Sequence, residues 1–232
     1  CEACRRVLRP ASSAAMPQAA SPSPRPLAVL TGDIIRSSRL APEALDAAMD
    51  ALAGGAAAMS TWEGAEPARF DRFRGDGWQC LAPAPPMALR AALFLRAHLR
   101  ATDRDADTRI SVGVGTGVLH PDGLAAASGT AFEVSGRGLD RMARAQQIAI
   151  SWADPPPAAA VIGAVFALAD EVSRLWTAKQ AALLVATLSP GDEPQERLAA
   201  QHGVSQQAIA KHLSRGGDWA LRRALAALEA EG

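Results

Sequence analysis

The spacing of apolar residues changes several times along the first 170 positions of the chain. Predicted strands, with short apolar or alternating runs, lie at 27–35, 68–73, 78–83, 109–120, 149–151 and 160–162. Predicted helices, with apolar residues at helical spacing, lie at 41–59, 85–101 and in the second half of 128–147. This order of elements predicts an α+β fold in which a mixed sheet has helices covering one face.

From residue 170 onward the pattern is helical only. Glycines at 191, 203, 216 and 217 divide this part into four predicted helices. We therefore expect two domains, an α+β domain at 27–169 and an all-α domain at 170–232. Residues 1–26 are rich in Pro, Ala and Ser, which cannot offset the entropy of ordering, so a disordered tail is expected, with Met16 as a candidate start.

Composition narrows the function classes only a little. The 232 residues carry 24 Lys+Arg against 24 Asp+Glu, so binding to DNA requires a local patch. No uninterrupted apolar run reaches the roughly 18 residues of a membrane span, and no signal peptide is recognisable. Of three cysteines, Cys1 and Cys4 have the spacing of half a zinc site that nothing completes. A soluble protein located in the cytoplasm is expected.

The segment 193–215 has the features of two helices around a tight turn. Gly203 lies in the turn, Ser205 can cap the second helix, and apolar residues are spaced to bury the inner faces. This segment resembles the helix-turn-helix of bacterial transcription regulators. The resemblance implies that DNA is contacted by Ser205, Gln206, Gln207, Lys211 and His212. Because the helical part has no net charge, a homodimer would be needed, and a role in protein docking stays open.

Two carboxylates stand out in the first domain. Asp33 ends an apolar strand, where ionisation is costly without compensation, and Asp76 lies on the predicted RGDG hairpin turn. If the first strand pairs with the hairpin, the two acids meet, and a cation between them would relieve their repulsion. Mg²⁺ takes one or two carboxylates plus phosphate oxygens, which predicts a phosphoryl or nucleotidyl site. The alternatives are that Asp33 is a cap and Asp76 a turn residue.

VLTGDII, RFRGDGWQ and RISVGVGTGVLHPDGLAAASGTAFEVSGR occur in the order and spacing of the ferredoxin-like palm domain of class III nucleotidyl cyclases. With the C-terminal helices, the chain resembles the SatD family over nearly all of 27–230. The resemblance implies metal binding by Asp33 and Asp76 and a catalytic role for Arg137. It also aligns Glu133 with a cyclase Asn and Arg72 with a base-reading Lys, two departures that weaken the expectation of ATP cyclisation.

The leading hypothesis is a cytoplasmic transcription regulator. Its palm-like domain binds a nucleotide or another phosphate ligand with Mg²⁺, with Arg36, Arg39, Arg72 and Glu133 as candidate contacts, and its helix-turn-helix binds DNA as a dimer. One alternative is an active nucleotidyl cyclase or nucleotidyltransferase whose helices serve docking or dimerisation. Another is a scaffold in which both sites are vestigial.

Overall fold

The protein was analysed as a computed structural model, which describes residues 24–62, 69–73, 75–103, 105–191 and 194–230. Most of the predicted tail therefore lies outside the described residues. The first strand begins at Arg25, so residues 25 and 26, assigned to the tail from the sequence, belong to the sheet. Within these ranges no helix is both long enough and apolar enough to cross a membrane.

A mixed sheet forms the centre of the α+β part, as predicted. Its strands are β1 (Arg25–Ile34), β2 (Phe70–Arg72), β3 (Gly77–Leu81), β4 (Thr108–His120), β5 (Gly123–Ser128) and β6 (Ile148–Trp152). The first four lie in the order β2-β3-β1-β4 and are antiparallel. The long β4 also pairs with the parallel β6 along its first half and with β5 along its second.

Short 3-10 helices at Ser37–Arg39 and Pro85–Met87 and eight α-helices make up the rest of the regular structure in the described residues. The α-helices follow in chain order. They are α1 (Pro42–Met59), α2 (Ala88–Thr102), α3 (Thr130–Arg141), α4 (Ala159–Arg174), α5 (Ala178–Leu188), α6 (Gln195–His202), α7 (Gln206–Arg215) and α8 (Asp218–Ala230). The strand predicted at 160–162 is wrong, because these residues lie in α4. A three-residue apolar run carries no period of its own, and here it belongs to a longer helical face.

Helices cover both faces of the sheet, so the expectation that they cover one face is wrong. Ala28 and Leu30 of β1 belong to the large buried cluster that includes α1 and α2. Leu27 and Val29, which alternate with them, face the opposite side and pack with Ala131 of α3. Successive strand residues point to opposite faces, so an uninterrupted apolar strand is the pattern of a sheet buried on both sides.

Helix α3 lies unusually close to β4 because Gly113 has no side chain. A Cβ at this position would overlap the carbonyl oxygen of Ala131 and lie 2.5 Å from the amide nitrogen of Ser135. On the neighbouring strand, the hydroxyls of Thr31 and Ser135 are 2.8 Å apart and share a hydrogen bond. This close contact fixes the face of the sheet on which the candidate site is built.

The buried core continues from the sheet into the C-terminal helices. One cluster contains Leu30 of β1, Leu93 of α2, Leu184 of α5 and Ile209 of α7. The predicted domain boundary at residue 170 falls inside α4, where Asp170 is buried. The division into two domains stays a prediction, since the two parts share this core.

A buried ionic cluster joins α2 and α4 to Asp107, the residue before β4. The guanidinium of Arg96, which is 0% exposed, donates to both carboxylate oxygens of Asp107 at 2.9 and 2.7 Å and to Asp170 at 2.8 Å. Arg100 donates to Asp107 at 2.9 Å and to the carbonyl of Trp176 at 2.7 Å. Two arginines therefore balance two aspartates, which is the condition under which charges persist in a core.

Candidate functional site

The candidate site begins at the end of β1. Asp33 lies opposite Gly77 of β3 and opposite Arg109 of β4 in the strand register. It follows Thr31 on the face of the sheet that α3 covers, because side chains two residues apart point the same way. The carboxylate lies beyond the buried part of the strand and is 23% exposed.

Arg109 forms a two-point ion pair with Asp33. Its Nε donates to Oδ1 at 2.8 Å and its Nη2 donates to Oδ2. The hydrogen bonds to Asp33 raise the pKa of Arg109, and the negative charges of Asp76 and Asp140 contribute in the same direction. The negative charge at the end of this buried strand is thus neutralised by an arginine on the neighbouring strand of the same protein.

Asp76 lies beside this pair on the turn between β2 and β3. Its backbone carbonyl accepts a hydrogen bond from the amide of Ile34 at 3.2 Å, which holds the turn against the end of β1. Its side chain accepts from the hydroxyl of Ser37. The preceding Gly75 has φ of 77°, a conformation that favours glycine and allows the tight reversal.

Both acids line one open cavity of about 480 Å³. The other lining residues are Ile34, Ile35, Arg36, Ser37, Ser38, Arg109, Arg144, Gln146 and Gln147. Among the described lining residues three arginines surround two aspartates, so this lining carries an excess of positive charge. A cavity with such a charge suits a small anionic ligand.

Arg36 and Arg39, the predicted phosphate contacts, lie at this cavity and at its neighbour. Arg36 lines both, whereas Arg39 lines an adjoining cavity of about 390 Å³ together with Arg100 and Asp107. Arg36 has φ of 58° and ψ of 29°, the left-handed region that non-glycine residues rarely adopt. Such backbone strain is characteristic of functional segments, because the surrounding structure must hold it in place.

Three other predicted site residues lie elsewhere. Arg72 donates to Asp46 of α1 at 2.6 Å and does not line the cavity. Glu133 and Arg137 form an exposed ion pair on α3, with 3.5 Å between Oε2 and Nη1. Arg137 lines a different cavity at the edge of the sheet. Within one chain, the structure therefore brings together Asp33, Asp76 and Arg36, and leaves Arg72, Glu133 and Arg137 apart from them.

Sequence reasoning missed Arg109, Arg144, Gln146 and Gln147. For Arg109 a signal was present, since an antiparallel pairing of β1 with a strand that begins at TRIS places a base opposite the acid. The remaining three lie in the irregular segment between α3 and β6, where no periodicity indicates which side chains face the site.

The residues that were predicted to contact DNA lie on a compact helix pair. Helix α6 is capped at its C-terminus by Gly203, which has φ of 62°, and Ser205 caps α7 by accepting from the amide of Ala208 at 3.2 Å. Ile209 and Leu213 are buried beneath α7. The exposed side carries Gln206, Gln207 and Lys211, with His212 half-buried.

The chemistry of the carboxylates limits what metal the site can hold. Among the described residues no group of three or more His, Cys, Asp or Glu side chains is placed to share a metal ion. Asp33 and Asp76 alone fit a hard cation that brings further oxygen ligands with it, since Mg²⁺ keeps several waters or phosphate oxygens. Asp33 could join such an ion through the lone pairs that Arg109 leaves free.

Comparisons with known proteins add little to this geometry. No protein-family model matches the chain, and no curated protein is significantly similar to it. Among solved structures, the crystal structure of the guanylyl cyclase Cya2 is similar, with 22% sequence identity and a TM-score of 0.43 over 56% of this chain and 77% of that one. A likeness this remote carries no argument for function, and membership in the SatD family stays a prediction.

Proposed function

We propose that the cavity at the end of β1 binds a nucleotide or another small phosphate ligand, and that Mg²⁺ enters with it. The observation that carries this proposal is the arrangement of three arginines and two aspartates around one open cavity. Arg36 and Arg144 would contact phosphate oxygens, while Asp76 and Asp33 would hold the ion that the phosphates also ligate.

The two aspartates favour joint binding of Mg²⁺ and the phosphate ligand. Within the described part of the chain two carboxylates face the cavity, and one of them is held by Arg109. Mg²⁺ alone should therefore bind weakly, and the ion and the phosphate ligand should bind together. The protein would then respond to the ligand rather than to the free ion. This is the behaviour expected of a ligand-sensing domain.

Isothermal titration calorimetry with ATP and GTP, with Mg²⁺ and then with EDTA, tests the proposal. Asp33→Asn and Asp76→Asn should each weaken Mg²⁺-dependent binding, and Arg144→Ala should weaken binding with or without the ion. Asp46→Asn is the matched control, since Asp46 pairs with Arg72 outside the cavity. The proposal would be overturned if the unmodified chain bound no nucleotide, or if both Asn variants bound nucleotide as tightly as the unmodified chain does.

An active nucleotidyl cyclase or nucleotidyltransferase remains the alternative, with Arg137 as its catalytic residue. Release of pyrophosphate from nucleoside triphosphate in the same samples would favour it. In a single chain Arg137 lies in a separate cavity, so this activity would require Arg137 of a second copy. A homodimer in light scattering, with and without Mg²⁺-nucleotide, is therefore a requirement of the enzyme and a strict monomer would exclude it.

DNA binding through α7 is a second candidate function. It is favoured by the glycine turn, by the Ser205 cap and by the exposed side chains of Gln206, Gln207 and Lys211. We propose that the helix pair binds DNA as a homodimer and that the ligand domain regulates it. The SatD-like order of the two parts, noted from the sequence, agrees with this combination.

Fluorescence anisotropy of the full chain with genomic DNA fragments at low salt tests this function. Gln207→Ala should relax specificity at one base pair at a cost of about 1–3 kcal/mol, whereas Lys211→Ala should weaken all sequences alike. Lys179→Ala, an exposed position on α5, is the control. No salt-dependent binding to any fragment would leave the helix pair as a docking or packing element.

A further inference from the structure

The open edge of β6 is a second candidate site, which shares only Gln146 with the described lining of the cavity at the end of β1. In the described part of the chain, β6 pairs with β4 and with no other strand. Next to β6, the carbonyl of Gln147 accepts from the amide of Ile110 at 2.7 Å, and the amide of Ala153 donates to Val114 at 2.9 Å. Because backbone groups alternate in direction, the amides and carbonyls of Ile148, Ile150 and Trp152 point away from β4.

This edge forms the floor of a groove with a helix on either side. Four consecutive residues of β6, 149–152, line a cavity of about 480 Å³ together with Val134, Arg137, Gly138 and Arg141 of α3 and Gly163 of α4. A side chain at Gly163 would meet no atom within 4 Å, so α4 leaves the groove open at this point. The unpaired strand is thus accessible between two walls that would align an added strand.

The charge of the groove indicates what it accepts. Arg137 and Arg141 line it, and among the described residues no acidic side chain does. The ion pair between Arg137 and Glu133 would compete only weakly with an acidic ligand for Arg137, since both side chains are more than half exposed. Natural proteins protect or use their strand edges, and an unpaired edge next to two arginines favours an extended segment with acidic side chains.

We propose that the groove binds an extended acidic peptide of another protein, which adds to the sheet as a strand beside β6. The chain's own first 24 residues are a poor occupant, because they contain Arg5, Arg6 and Arg9 against Glu2 and are interrupted by prolines, which lack the amide that a strand donates. A second copy pairing edge to edge through β6 would bring its own Arg137 and Arg141 against the same residues, which like charges disfavour.

Selection from a random peptide library displayed on phage, against the immobilised full chain without nucleotide, tests this proposal. The selected peptides should be rich in Asp, Glu and β-branched residues and poor in Pro. Binding measured by fluorescence anisotropy should fall by about tenfold or more in Arg141→Glu, where attraction becomes repulsion. It should fall similarly in Gly163→Phe, which fills the groove.

Gly136→Phe is the matched control, because Gly136 also lies in a helix with no atom within 4 Å of an added Cβ but does not line the groove. It should bind the selected peptides as the unmodified chain does. Amide exchange measured by NMR should slow at Ile150 and Trp152 when the peptide is bound. No enrichment of peptides, equal binding by Gly163→Phe, or unchanged exchange at these two amides would each overturn the proposal.

The peptide site and the nucleotide site can fail separately. Gly163→Phe leaves all the residues at the end of β1 unchanged, so its Mg²⁺-nucleotide binding should match that of the unmodified chain. Loss of peptide binding with retained nucleotide binding is the expected result. A variant that loses both, with a lowered thermal midpoint, would indicate damage to the fold, and Arg141→Glu at the exposed surface then provides the independent test.

Discussion

Replacing Arg96 by Met should destabilise the protein strongly. The substitution keeps most of the buried volume but removes the donors to Asp107, Asp170 and Ser173. Asp107 would retain Arg100 at 2.9 Å, and Asp170 would retain the amide of Gln147 at 2.8 Å. Asp170, which is 3% exposed, would then lose its ion pair and keep a negative charge in the core, with Arg174 acting on it only through space.

The expected loss in free energy of unfolding follows from the charge that Asp170 would keep without its ion pair. Removing one partner of a buried ion pair costs about 3–5 kcal/mol, and the remaining neutral donors place this case within that range. For a chain of this size the loss corresponds to a fall of about 6–20 °C in Tm. Arg72→Met is the control, because the ion pair of Arg72 with Asp46 is largely exposed and worth about 1 kcal/mol or less.

Urea denaturation followed by far-UV circular dichroism measures both variants against the unmodified chain. A double variant, Arg96→Met with Asp170→Leu, should recover part of the stability, because it removes the charge that the single variant strands. If Arg96→Met costs no more than Arg72→Met, the ionic cluster does not contribute as described. If the double variant is no more stable than Arg96→Met, the stranded charge is not the cause.

Three further predictions concern packing and buried titratable groups. Gly113→Ala should destabilise by about 1–3 kcal/mol through overlap with α3, whereas Gly163→Ala should stabilise by about 0.5–1 kcal/mol; thermal unfolding compares them. Burial lowers the pKa of His98, so the folded protein resists protonation of this side chain and should lose stability as the pH falls below about 6.5. Urea unfolding across this pH range should show the loss in His202→Gln and not in His98→Leu. Burial raises the pKa of Cys80 to about 12, so peptide mass spectrometry should find it alkylated by iodoacetamide only after unfolding.

Helices and strands with a regular spacing of apolar residues could be predicted from the sequence. Elements whose position depends on pairing with a distant segment could not. The amphipathic α1 and α2 and the strands β1 and β4 lie where apolar spacing placed them. The hairpin β4–β5 escaped prediction because its second strand, GLAAAS, has no apolar alternation. The length of β4 and its partner β5 are set by pairing, which periodicity does not encode.

The same division holds for the candidate site. Pairing of the first strand with the hairpin predicted that Asp33 and Asp76 lie at one place, and the structure puts both in one cavity. The ion pair of Asp33 with Arg109 depends on the register of β1 against β4, since a shift of one residue would turn Arg109 to the other face. The burial of Arg96 was equally hidden, because its position on α2 reads as part of an ordinary amphipathic helix.

Trp176 connects α2 with the end of α7. Its indole N–H donates to the carbonyl of Gly216 at the end of α7 at 2.8 Å, and its own carbonyl is held by Arg100 of α2. Detachment of α7 would break the first hydrogen bond and loosening of α2 the second, and either would uncover part of this ring, which is 1% exposed. The two openings therefore share the free-energy cost of exposing Trp176, and a molecule that stabilises α2 from the sheet side should also reduce the fraction of chains in which α7 is detached.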